Sequence, residues 1–128
     1  MVVMKIENVT ELKEVFSKHN KDNYSIESYK ILLDDILGKN NEINESEIDT
    51  DYLSNHYFEF NNLQEAFLDF EGDCEFERLK NRIKDYFKGE PEIDFYGEVD
   101  SAIEDYFYSN DILCWELSNK KVLLYSKE

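Results

Sequence analysis

Residues 112–125 read ILCWELSNKKVLLY. Two apolar runs flank the polar turn Ser118-Asn119-Lys120, a pattern that predicts a β-hairpin. This stretch decides the class of the fold, because most of the chain before it carries helical spacing. Immediately upstream, Val99, Ile103, Tyr106 and Phe107 mark a helix capped near Asp100 or Ser101, and Ile93 to Tyr96 reads as a short strand. From Glu75 to Phe87 lies the clearest helix, with Phe76, Leu79, Ile83, Tyr86 and Phe87 as its buried stripe and Gly89 and Pro91 ending it. Before that, Asn62 followed by Glu65 resembles a capping box for a helix carrying Leu63, Ala66, Phe67 and Phe70, broken at Gly72-Asp73.

Nearer the N-terminus, Asn8 and Thr10 are good caps for a helix over 9–19, built on Val9, Leu12, Val15 and Phe16. A second helix starts at Ser25, presents Ile26, Tyr29, Leu33, Ile36 and Leu37 on one side, and stops at Gly38. Asn40 to Glu45 is a polar loop. From Glu47 the period falls to two: Ile48, Thr50 and Tyr52 alternate with Glu47, Asp49 and Asp51. That alternation predicts a half-buried strand with its acids facing water, and Tyr57, Phe58 and Phe60 extend the aromatic signal to about residue 60. The expected class is α+β: a single domain over residues 1–128, several helices packed on a small antiparallel sheet with a C-terminal hairpin.

Nine Phe, nine Tyr and one Trp in 128 residues argue for a folded chain despite a net charge of −16. With four Gly and one Pro there is no flexible linker. No apolar run approaches the roughly 20 residues of a membrane span, and Met1 to Ile6 is too short and too weakly basic for a signal peptide. Cys74 and Cys114 lack metal spacing and read as reduced structural thiols ahead of the alternative, a single disulfide between them. The expected location is the cytoplasm of a host cell.

The charge is unevenly placed. Residues 40–77 hold twelve acids and residues 89–111 eight, and neither stretch contains a Lys or Arg. Between them, Arg78, Lys80, Arg82, Lys84 and Lys88 face Asp85 alone. A surface built only for solubility usually intersperses its signs. The plain alternative is an acidic surface that is simply solvated; the favoured reading is a large field of one sign that steers association and selects partners.

Catalytic signals are weak. His19 lies in a charged stretch, and His56, between Asn55 and Tyr57, reads as a satisfied strand residue. No nucleophile elbow or phosphate-binding loop occurs, and Cys74 is flanked by Asp73 and Glu75, which do not activate a thiol. Asp49-x-Asp51 and Glu71-x-Asp73-x-Glu75 offer oxygen ligands without the EF-hand pattern, as chance provides where 30 of 128 residues are acidic. The expectation is a chain that is not an enzyme and uses no cofactor.

The bases of residues 78–88 spread around their helix, where intramolecular ion pairs account for them. Direct binding to DNA or RNA is opposed by the charge, so the acids point to a partner that itself binds nucleic acid. Alternate strand residues lie about 6.5 Å apart, so Glu47, Asp49 and Asp51 would form a row resembling a run of phosphates. Glu98, Glu104 and Asp105 on a helix, with Glu90, Glu92 and Asp94 on a loop, would supply a second row. Glu45 and Glu59 complete the expected partner-binding set.

Part of the chain resembles a known group. The matching features are Tyr24-Ser25 opening an amphipathic helix, Ile48-Asp49, the aromatic-acidic run Tyr57-Phe58-Glu59-Phe60, and Leu63-Gln64-Glu65. Together they resemble a pattern in small acidic proteins of phages and mobile elements, which keep company with ArdA-type antirestriction proteins and anti-CRISPR proteins. AIEDYF at residues 102–107 is also similar to an acidic-aromatic segment of ArdA. The resemblance implies DNA mimicry and inhibition of a host defence nuclease, a CRISPR effector ahead of a restriction enzyme. The helix from Arg78 to Lys88 and the hairpin depart from the pattern. The alternative is an immunity protein that neutralises a cognate toxic nuclease, since nuclease active sites are basic too.

Overall fold

In the computed structural model, which describes residues 4–90 and 92–127, side-chain caps set the helix boundaries. The Asn8 side chain accepts the Glu11 N–H at 2.9 Å and starts α1 (Val9–Lys18). Ser25 accepts the Ser28 N–H and starts α2 (Ile26–Leu37), which stops at Gly38. Each cap satisfies an amide that has no partner within the first helical turn.

These helices belong to the first of two compact units, Met1–Glu59 and Phe60–Glu128. The first unit also contains the short antiparallel strands β1 (Lys5–Ile6) and β2 (Ile43–Asn44), a 3₁₀ turn at Glu45–Glu47, and α3 (Thr50–His56). Its buried residues include Ile6, Leu12, Val15, Phe16, Tyr29 and Leu32. The rings of Phe16, Tyr24 and Tyr29 meet edge to face in all three pairs, with centroids 5.4 to 5.8 Å apart. Both phenols find acceptors: Tyr29 donates to the Asp22 carboxylate, and Tyr24 to the Tyr57 carbonyl at 2.7 Å. The cluster therefore buries aromatic area without orphaning a hydroxyl. Burial pushes the Tyr24 phenol up to about 12.

β3 (Tyr57–Phe60) runs across the boundary in the chain. In the second unit, Asn62 accepts the Glu65 N–H at 2.8 Å and opens α4 (Leu63–Glu71). Gly72, at φ +91°, ends α4 by donating its N–H to the Leu68 carbonyl, and it leads at once into α5 (Asp73–Tyr86). That left-handed backbone suits glycine alone, so the two helices turn on one residue. After α6 (Phe95–Ser109) come β4 (Leu113–Glu116) and β5 (Val122–Tyr125), antiparallel, with Cys114 opposite Leu124 and Trp115 opposite Leu123. The core of this unit gathers Ala66, Phe67, Val99, Ile103, Phe107 and Leu124. Burying each of the larger ones stabilises the fold by about 1.5–3 kcal/mol.

The fold is α+β, and the hairpin and the helices around residues 9–19, 25–38, 62–72 and 75–87 stand as expected. The strand expected from Glu47 does not form. Asp49 accepts the Tyr52 N–H at 3.0 Å, and α3 follows, with Thr50 and Leu53 buried and the buried Tyr57 just past its end. Those three residues repeat at helical intervals of three and four, a period that competed with the alternation over too few residues to separate. Tyr52, expected inside, is 45% exposed.

The strand expected at Ile93–Tyr96 is also absent. The Asp94 side chain accepts the Gly97 N–H at 3.1 Å, so α6 begins at Phe95, well before the cap expected at Asp100 or Ser101. Phe95, Val99, Ile103 and Phe107 form its inward row at intervals of four. Two stripe residues face outward instead of inward: Ile26 is 49% exposed and Tyr86 82%. Pro91, expected with Gly89 to end the Glu75–Phe87 helix, lies outside the described residues. No described helix is long and apolar enough to cross a membrane.

Candidate acidic interface

Folding changes the charge map that the linear sequence draws. In the first unit, lysines from the nearly neutral N-terminal stretch reach into the base-free block. Lys5 pairs with Glu42 at 2.7 Å, Lys18 with Glu45 at 3.2 Å, and Lys21 with Asp51 at 3.2 Å. The hydrogen bond and charge of Glu42 hold the Lys5 ammonium above its ordinary pKa. Pairs this exposed add little stability, but they do reduce the local field.

The other acids expected to bind a partner in this unit have structural duties as well. Asp49 caps α3. The Glu59 carboxylate accepts the Ser25 N–H at 3.0 Å, the Ser25 hydroxyl at 2.6 Å and the Ser28 hydroxyl. It anchors the start of α2 and satisfies the buried Ser28. Glu47 stays exposed, in a 3₁₀ turn. The expected row of Glu47, Asp49 and Asp51 therefore does not exist as a strand edge: one acid sits in a turn, one caps a helix, and one stands in the first turn of α3.

The second unit differs. On α5, Glu75 pairs with Arg78 and Glu77 with Lys80, both at 2.7 Å and one helical turn apart. Lys80 lies over the Phe76 ring at 4.5 Å and Lys84 over the Phe95 ring at 5.6 Å. The Lys80 hydrogen bond lowers the Glu77 pKa. Three of the five bases in residues 78–88 thus have partners on α5 itself or on the neighbouring helix.

Among the described residues, no ion pair reaches any acid of 89–111. Glu90, Glu92, Asp94, Glu98, Glu104 and Asp105 are all exposed. Asp94 caps α6, where the helix dipole favours its charge. Glu104 is met by another acid instead of a base: Glu116, from β4. Partial desolvation, then the hydrogen bond and charge of Glu116, with Asp100 and Asp105 behind it, hold the Glu104 carboxyl above its usual pKa.

Glu116 was not among the acids expected to act. The linear sequence gives no sign of it, because it stands alone in the hairpin and meets Glu104 only through the packing of β4 on α6. Glu90, Glu92, Asp94, Glu98, Glu104 and Asp105 all fall in the second unit. Glu45, Glu47, Asp49, Asp51 and Glu59 fall in the first.

The residues considered for other chemistry do not converge. His19 is exposed at the end of α1, and His56 ends α3 with its ring 4.3 Å from that of Tyr52. Cys74 and Cys114 are free thiols, and burial pushes Cys114 up to about 11. Among the described residues, no three His, Cys, Asp or Glu side chains are grouped to hold a metal ion. No family model, curated protein or solved structure matches the chain.

Proposed function

We propose that this chain is a non-enzymatic inhibitor of a nucleic-acid-binding host defence nuclease, of the anti-CRISPR kind. It acts inside the host cell by setting an acidic surface into a basic groove. The observation that carries this reading is the run from Glu90 to Asp105, whose exposed acids have no ion pair among the described residues. Arg78, Lys80 and Lys84 of α5 lie in the same unit and turn to other groups. A field left unneutralised beside available bases is suited to a basic partner, which it attracts from a distance.

The geometry of the mimicry differs from a strand edge. On α6, Glu98 and Asp105 are separated by about 10 Å along the axis at 1.5 Å per residue. That is near the rise of three base steps in duplex DNA, at about 3.4 Å each.

The test has two parts. Electrophoretic shifts with duplex DNA, single-stranded DNA and guide RNA should be blank, while cleavage by a sensitive nuclease from a panel of CRISPR effectors and restriction enzymes should be inhibited. Glu98→Lys/Glu104→Lys/Asp105→Lys should then abolish inhibition, and Glu7→Lys/Glu14→Lys, on exposed positions at the start of the chain, should leave it intact. A folded triple variant that inhibits like the parent chain rules out this surface.

A further inference from the structure

We infer that the groove between α5 and α6 is a docking site for one kind of segment: a basic amphipathic helix of the partner protein, with large apolar side chains flanked by Arg or Lys. This deepens the reading above and rests on it for the partner's charge. The groove lies wholly in the second unit and has a volume of about 720 Å³. Its apolar lining comes from Phe67, Leu79, Ile83 and Tyr106, which also seat the core. Small side chains on α6, Ser101, Ala102 and Ser109, leave space open alongside the larger Glu98, Asp105 and Tyr106.

The rim chooses the occupant. Glu71, Glu75, Glu98 and Asp105 line the groove, against Arg82 as its one basic lining residue. Glu75 is held by Arg78, but Glu71, Glu98 and Asp105 have no ion pair among the described residues. An apolar trough edged by unneutralised carboxylates complements a helix with an apolar face and basic flanks. A second copy of this chain fits poorly, since it would bring a net charge of −16 to an acidic rim.

Tyr86 adds an independent observation. Its position in the helical pattern predicts burial, yet it stands 82% exposed at the groove, its ring edge-on to Phe87 at 4.8 Å. A large aromatic side chain on an apolar trough, with one end free to hydrogen-bond, has the makings of an interface anchor.

The test uses the full chain and a fluorescein-labelled amphipathic helical peptide of Leu and Arg, read by anisotropy at moderate salt. Its control is the same peptide with every Leu replaced by Ser, which keeps the charge and removes the apolar face. The Leu/Arg peptide should bind at least about tenfold more tightly than the control. Ser101→Trp fills the groove without altering charge and should remove that advantage, as should Tyr86→Ser in large part. Melting curves establish that both variants fold.

Equal binding of the two peptides, or an advantage that survives Ser101→Trp, overturns the groove and leaves the acidic-surface reading standing. Binding of neither peptide overturns both. Self-association of the chain that Ser101→Trp abolishes, with no preference between peptides, assigns the groove to a second copy and also overturns the proposal.

Discussion

Asp49 separates two readings of the same residues, and its mutation gives opposite results under each. If residues 47–52 formed a strand with acids on its wet face, Glu47, Asp49 and Asp51 would be interchangeable, and replacing any of them would change stability by less than about 0.5 kcal/mol. In the structure they differ. Asp49 accepts the Tyr52 N–H at 3.0 Å and opens α3. Losing a cap costs about 1 kcal/mol, and a Lys there adds about 0.3–1 kcal/mol of unfavourable interaction with the helix N-terminus. The seven residues of α3 make a short helix, so the lower end of the second term applies.

Asp49→Lys should therefore destabilise by about 1.3 kcal/mol. Asp51→Lys gives up an ion pair with Lys21 whose acid side chain is 79% exposed, at a cost of about 0.2–1 kcal/mol. Glu47→Lys, in a turn with no capping bond, should be neutral. Asp49→Asn isolates the hydrogen bond from the charge: Asn caps as well as Asp, so Asp49→Asn should keep the stability that Asp49→Ala loses. The assay is urea denaturation followed by far-UV circular dichroism, in which about 1 kcal/mol moves the midpoint by about 0.5 M for a slope near 2 kcal/mol/M. If Asp49→Ala and Asp49→Asn unfold at the same midpoint, the cap does not contribute and the helix assignment loses its explanation.

Three further outcomes follow from the same structure. Phe107→Ala, which empties a fully buried position against Phe70 at 5.7 Å, should cost about 3–5 kcal/mol in guanidinium denaturation. Lys120→Gly should stabilise the hairpin by up to about 1 kcal/mol, seen as a higher Tm, because Lys120 sits at φ +65° after Asn119 at φ +60°, where Asn-Gly is the favoured pair. Stability should fall on the alkaline side: folding raises Cys114 from 9.0 to about 11 and Tyr24 from 10.0 to about 12, so the folded chain holds protons that the unfolded chain releases, and stability present below pH 9 is lost as pH rises toward 12. Cys114→Ala should flatten the lower part of that decline and Tyr24→Phe the upper part, in denaturation midpoints measured across the range.

The sequence reveals structure where local chemistry and long periodicity agree. Asn8, Ser25 and Asn62 are strong caps placed before clear helical stripes, and all three open helices in the fold. It misleads where both periods fit a few residues. Ile48, Thr50 and Tyr52 alternate, while Thr50, Leu53 and Tyr57 repeat at helical intervals, and the cap at Asp49 decides between them. The opening of α6 was hidden for a related reason: Phe95-Tyr96-Gly97 is aromatic and contains the poorest helix former besides proline, so Asp94 read as a loop acid. The site was legible as charge along the chain and illegible as charge in space. Lys5, Lys18 and Lys21 lie 37, 27 and 30 residues from the acids they meet, and no local pattern announces such pairs.

The acids sort by what each does for the fold. Asp49 and Asp94 cap helices, and Glu59 binds the start of α2, so each has a duty in the fold. Glu45 and Asp51 have lysine partners. Glu90, Glu92, Glu98, Glu104 and Asp105 have no such duty among the described residues. Glu104 goes further, since partial desolvation and then the neighbouring Glu116, with Asp100 and Asp105 behind it, raise its pKa. Carboxylates kept apart serve solubility equally well, and a Gln at either position would remove the repulsion. Like charges in contact make the ionised state costlier in the free protein than in a complex with cations beside it. A basic partner would relieve that repulsion. The contact thus supports a role for charge density itself on α6, beyond the number of acids the surface carries.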